Sequence, residues 1–204
     1  MNVTIWKDRN MVMTYNLFKS LGPSYHRIPT VMVIGTGPSL MKYKREFPGW
    51  FRIGSSIAWK FHNVDLTAVS DTCLAAIHGC STDYVIPFEY EKGICYHKEH
   101  CERPNMDQHS DTLSWIGGGI GPALNLACLF VQEGGWIGLV GVDYTDIPEA
   151  EDGDWSYEVQ ARGGTDYIEN CAKVLKYRKP GVKLFTFGCL RKYEGWQHKE
   201  LRDA

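Results

Sequence analysis

The feature that most constrains this chain is the short apolar run Thr30-Val31-Met32-Val33-Ile34, followed at once by Gly35-Thr36-Gly37-Pro38-Ser39-Leu40. An apolar run rich in β-branched residues and ended by glycine predicts a strand buried on both faces. Gly-x-Gly after such a strand lets the backbone turn tightly and approach a phosphate without a Cβ in the way. Amides at the start of the following helix, with the Ser39 hydroxyl, are donors suited to an anion. The turn lacks the third glycine of the dinucleotide fingerprint and the Gly-Lys-Ser/Thr of a P-loop. The alternative is a plain strand-to-helix turn.

The same alternation continues down the chain. Residues 51–54, 66–70, 85–88, 136–141 and 182–187 read as strands, and 40–46 (capped by Ser39 or a neighbour), 56–62, 122–132 and 165–177 as helices. This predicts an α/β fold: a Rossmann-like, mostly parallel sheet with helices on both faces. Its 204 residues suit a single domain over 1–204, with a lead-in at 1–28 and an irregular insertion at 89–113. Such sheets bind ligands beyond the carboxyl ends of their strands, near the reversal of strand order. The turns at 35–39, Asp71 and 143–146 all follow strands and are expected to converge there.

Composition excludes some classes. The chain is 44 % apolar and 23 % charged, which is ordinary for a globular protein. A net charge of −2 argues against a broad basic face for duplex nucleic acid. Lys173, Lys176, Arg178, Lys179, Lys183, Arg191 and Lys192 leave room for a local basic groove. No apolar run approaches the ~20 residues of a membrane span. Lys7, Asp8, Arg9 and Asn10 interrupt the first twenty residues, so no secretory signal is expected. Seven cysteines is an odd count, and Cys128, Cys171 and Cys189 lie in apolar patterns, which fits reduced thiols in a cytoplasmic protein.

The string Gly-x-Gly-Pro-Ser-Leu after a first strand resembles two related groups. One is the bacterial sialyltransferases that use CMP-sialic acid, with the flagellin nonulosonic-acid transferases (motility-associated factors). The other is the archaeal-type 6-hydroxymethyl-7,8-dihydropterin pyrophosphokinases. Ile53-Gly54-Ser55-Ser56-Ile57-Ala58 is similar to their second nucleotide-contacting turn. Val64-Asp65-Leu66 through Ser70-Asp71 looks like their Pro-Asp…Asp strand. Gly117 to Ala127, with Gly138-Leu139-Val140-Gly141-Val142-Asp143-Tyr144, looks like their glycine-started helix and Gly-x-Asp strand. The resemblance runs from residue 31 to 157.

What it implies is a glycosyltransferase taking a sugar from a nucleotide donor, a CMP-sugar, to an acceptor hydroxyl, with no obligatory metal or cofactor. Gly35, Thr36, Gly37, Pro38 and Ser39 would cradle donor phosphate and ribose. Ser55, Ser56 and Asp71 would contact the nucleotide, and Gly118 and Gly119 would let base or ribose lie close to the backbone. Tyr144 and Tyr157 (in Ser156-Tyr157) would donate to the leaving phosphate, where charge grows in the transition state. They read equally as aromatics at a cleft rim. The family's asparagine on the second turn is replaced by Gly54-Ser55-Ser56. No histidine lies between His109 and His198 to serve as its base. His109, His100, Asp146 and Asp154 are the candidates.

Asp71, Asp143 and Asp146 admit a second use. Carboxylates at strand ends can hold Mg²⁺ for phosphoryl transfer from ATP, as the pyrophosphokinase reading needs. Asp143 reads alternatively as a structural carboxylate capping backbone amides. A nucleotide-binding protein without catalysis is the non-enzymatic alternative. Cys95-x-His97-x-x-His100-Cys101, near His109, has soft ligands but not the two separated pairs of a structural zinc site, and reads as an acceptor-side loop. The acceptor is undefined, and the length fits a minimal, phage-encoded modifying enzyme or one whose acceptor site a partner supplies; a homo-oligomer stays open.

Overall fold

The computed structural model describes residues 2–7, 10–16, 27–41, 47–55, 58–68, 84–87, 107–110, 120–143, 175, 178–188 and 193–200. Ten strands form one sheet: β1 (Asn2–Lys7), β2 (Asn10–Asn16), β3 (Ile28–Ile34), β4 (Phe51–Ser55), β5 (Leu66–Ala68), β6 (Tyr84–Pro87), β7 (Asp107–Ser110), β8 (Val131–Val140), β9 (Lys183–Phe187) and β10 (Gln197–Lys199). Their order is β10-β9-β8-β3-β4-β5-β6-β7-β1-β2. Pairings from β10 across to β7 are parallel, and β7–β1 and β1–β2 are antiparallel. Among the described residues, the helices α1 (Pro38–Met41) and α2 (Ile120–Phe130) and a 3₁₀ turn (Ala58–Lys60) accompany the sheet. The fold is α/β with a mostly parallel, Rossmann-like sheet.

β3 is central because its side chains suit both faces. Val31 and Val33 enter one apolar cluster, Met32 and Ile34 the other, and all four are fully buried. At about 1.5–3 kcal/mol for each large apolar side chain removed from water, this strand alone anchors both layers. α2 covers the first face with Ala123, Leu124, Leu126, Ala127 and Phe130. It carries no charged residue, and its Pro122 falls in the first turn, where a missing N–H is harmless. Phe130 meets Phe51 edge-on at 5.6 Å. The second face holds Leu40 of α1 and Ala58 of the 3₁₀ turn, with Phe47, Phe185 and Phe187.

Several boundaries differ from expectation. The predicted helix at 122–132 ends at Phe130, and β8 begins at once, five residues before the predicted strand. Val131 stands opposite Ile28 and Trp136 opposite Thr30, so the chain between them bulges out of the ladder. Gly134, at φ 69°, makes that excursion and donates its N–H to Pro180 O at 3.0 Å. The lead-in at 1–28 contains the β1–β2 hairpin, and the irregular insertion contains β7, which pairs with β6 and β1. Of the predicted helix at 56–62, residues 58–60 form a 3₁₀ turn, and 56–57 lie outside the described residues. Of the predicted helix at 165–177 only Leu175 is described; it is helical and buried. Among the described residues, no helix is long and apolar enough to cross a membrane.

Candidate functional site

The chain leaves β3 toward β4, β5 and β6 on one side, then returns through α2 to β8 and β9 on the other. The reversal of strand order therefore lies between β3 and β8. Their parallel register, with Ile34 opposite Val140, sets the turn 35–39 beside 141–143. This is the crevice where open α/β sheets bind ligands.

The two turns are sewn together by backbone. Gly35 N–H donates to Val140 O at 2.8 Å, and Gly37 N–H to Gly141 O at 2.6 Å. Neither position has room for a side chain. A Cβ on Gly37 would collide with Asp143 Oδ2 and lie 2.8 Å from Gly141 O; one on Gly35 would lie 2.9 Å from Val142 Cγ2. Gly141 itself sits at φ 65°, a conformation that favours glycine. From the tail, Tyr193 Oη donates to Val142 O at 2.6 Å and holds the second turn in place.

Asp143 is fully buried, and its Oδ2 accepts the Ser39 N–H at 2.8 Å. The sequence places the helix cap at Ser39 or a neighbour. Instead Pro38 opens α1, Ser39 lies inside it, and the capping oxygen comes from a carboxylate 104 residues away. This oxygen does what an Asp at the N-cap does, from the neighbouring strand end. The amides of Gly35, Gly37, Ser39 and Leu40, which donates to Gly37 O at 2.9 Å, are all bonded inside the protein. The surface left to a ligand is made by the partly exposed Thr36 and by side chains rather than by these four amides. Ser39 Oγ is buried with no partner among the described residues, and Ser55 is buried at the end of β4.

The junction thus gathers Gly35, Thr36, Gly37, Pro38, Ser39 and Asp143, with Ser55 on the adjoining strand. His109 is not among them: it lies in the body of β7, opposite Ile86 and Thr4, with β4, β5 and β6 between it and β3. Tyr144, Tyr157, Ser56, Asp71, Gly118 and Gly119 lie outside the described residues, as do His100, Asp146, Asp154 and the 95–101 cluster. Among the described residues no three His, Cys, Asp or Glu side chains gather as metal ligands.

Trp59, on the 3₁₀ turn after β4, carried no sequence signal beyond an aromatic in a predicted helix. Its Nε1 is nevertheless buried without a partner among the described residues. An open hollow of about 540 Å³ lined by Ile28, Gly49, Trp50, Phe51 and Asp65 lies at the opposite, amino end of the strands, away from the junction. Compared with models of protein families, with curated proteins and with solved structures, the chain finds no match in any of the three.

Proposed function

We propose that the chain is a sialyltransferase-like glycosyltransferase that moves a sugar from a nucleotide donor, a CMP-sugar, to an acceptor hydroxyl. The observation that carries this reading is the buried hydrogen bond from Ser39 N–H to Asp143 Oδ2. It joins the two stretches on which the resemblance chiefly rests, at the strand-order reversal where a nucleotide would be expected. The donor's ribose would lie over Ser39 and its phosphate over Thr36, with Ser55 and Ser56 against the nucleotide. In an inverting displacement the acceptor oxygen bonds to the anomeric carbon as the carbon–phosphate-oxygen bond breaks. The electron pair leaves with the nucleotide phosphate, where Tyr144 and Tyr157 would donate, and the acceptor proton passes to a general base. His109 lies three strands from the junction, so Asp146 and Asp154, which follow Asp143 in sequence, are the better candidates for that base.

A thermal-shift panel of CMP, CDP, UDP, GDP, ADP and ATP, each with and without Mg²⁺, tests the reading. A ligand that binds only the folded chain raises its melting temperature by mass action. The expected result is stabilisation by CMP independent of metal. A shift confined to ATP with Mg²⁺ would instead indicate the pyrophosphokinase-type reaction. No shift with any nucleotide would overturn the proposal.

A further inference from the structure

Ser39 Oγ and Trp59 Nε1 are the polar side-chain atoms that stand buried without a hydrogen-bond partner among the described residues. Folded proteins leave few such groups, because each orphaned donor costs about 1–3 kcal/mol. Both are at the same end of the sheet. Ser39 is on the turn after β3 and Trp59 on the turn after β4, its parallel neighbour. The two turns share one apolar cluster, which Leu40 and Ala58 enter and against which the Trp59 ring packs. Adjacent strands lie about 4.8 Å apart, so groups leaving their ends come within the span of one small molecule.

The chemistry that completes the pair is narrow. An indole N–H only donates, and a hydroxyl donates or accepts, so the ligand must present acceptor oxygen. The Asp143 carboxylate is already bonded to the amide of Ser39 itself. An anion brought to the Ser39 hydroxyl would meet that carboxylate at close range, whereas a neutral oxygen would not. We propose that Trp59 Nε1 and Ser39 Oγ hydrogen-bond the neutral oxygens of a nucleoside, its ribose hydroxyls or base carbonyl, and that the phosphate is held by other groups of the crevice. This inference rests on the nucleotide-site reading and adds to it a residue, Trp59, and a division of labour.

The test is titration calorimetry of the full chain with cytidine, uridine, adenosine and guanosine and their 5′-monophosphates. Wild type is compared with Trp59→Phe, which keeps most of the ring packing, and Ser39→Ala. At least one nucleoside is expected to bind wild type. Each substitution should weaken it about tenfold, the loss of one hydrogen bond, and by the same factor for nucleoside and monophosphate. Melting temperatures without ligand should stay level or rise, since an unsatisfied donor has been removed. Should Trp59→Phe fold poorly, the Trp59 indole resonance of ¹⁵N-tryptophan-labelled wild type gives the same answer: it moves downfield when the nucleoside binds. A static resonance on binding, or weakening confined to the monophosphates, overturns the inference. Binding that ignores both substitutions also overturns it while leaving the nucleotide reading intact. A wild type that binds no nucleoside and no monophosphate brings down both.

Discussion

At Gly37 two neighbours forbid a side chain at once, the Asp143 carboxylate and the Gly141 carbonyl. Both belong to the other half of the junction, so Gly37→Ala must force the turns apart. Overpacking of this kind costs about 1–3 kcal/mol, and a urea melt should show that loss. The contrast between Asp143 and Ser39 separates structure from ligand binding. Asp143→Ala leaves the Ser39 N–H buried and unpaired, so it should destabilise the chain by about 1–3 kcal/mol. Asp143→Asn, which keeps an acceptor oxygen, should retain most of that stability. Ser39→Ala should leave it unchanged, because the hydroxyl has no hydrogen-bond partner among the described residues. Cys128 is buried within α2, and burial pushes its thiol up to about 12, against the opposing pull of Arg178 and Lys179. The folded chain therefore holds that proton where the unfolded chain, with a value of 9.0, gives it up, and stability falls as pH rises past 9. At pH 8 Cys128 should resist alkylation in native buffer and react once urea unfolds the chain, as peptide mapping would show.

Elements are held by a few polar ties across the apolar layers. The end of α2 runs straight into β8 with no basic residue of its own in the last turn. Lys179 supplies the missing charge: its Nζ donates to Leu129 O at 2.9 Å and Val131 O at 2.6 Å. Desolvation lowers its ammonium below the usual lysine range, against the opposing effect of Glu133 and Cys128. Lys179→Met keeps the aliphatic stem but strips the helix end of its donor, and should lower stability by about 1–2 kcal/mol in a urea melt. At the amino end of the sheet, Arg52 and Asp65 tie β4 to the entry of β5. Nε and Nη2 reach the carboxylate at 3.1 and 2.9 Å, and the Arg52 amide adds a third bond at 2.8 Å. Desolvation raises the Asp65 carboxyl, but the hydrogen bonds and charge of Arg52 outweigh it and hold the group below 3.8. A depressed carboxyl stabilises the fold above the unfolded value and loses that contribution as pH falls through the folded one. Asp65 is a third exposed, so the tie is worth about 1 kcal/mol or less. The stability gap between wild type and Asp65→Asn should therefore be present at pH 7 and close below pH 3.8.

Across the whole molecule, protection should follow the sheet order. β3 and β8 lie between other strands, and their residues 31–34 and 137–140 are buried, whereas β10 is a three-residue edge and β2 closes the opposite side. Hydrogen exchange should be slowest at residues 31–34 and 137–140 and fast at 197–199. Much of this architecture is legible in local pattern. The 30–34 run needs apolar cover on both sides, and only a central strand of a covered parallel sheet supplies it; the same holds for 137–140, while Trp136 is exposed. Repeated glycine-ended strands likewise mark where a crevice opens. Other features carry no local signature. β7 (Asp-Gln-His-Ser) and β10 (Gln-His-Lys) are polar runs that join the sheet through the ladders beside them, and in β10 His198 Nδ1 also lies 3.0 Å from Thr186 Oγ1 and Lys199 Nζ 4.5 Å from the Phe185 ring; His109 thus reads as loop and is strand. The β1–β2 hairpin depends likewise on its pairing with β7. Periodicity reports what a segment must bury, and that was enough to specify the fold class and the central strands. Which distant groups meet is set by strand order and register. Only the assembled sheet could place the Asp143 carboxylate on the Ser39 amide and bury Ser39 Oγ and Trp59 Nε1 without a partner among the described residues.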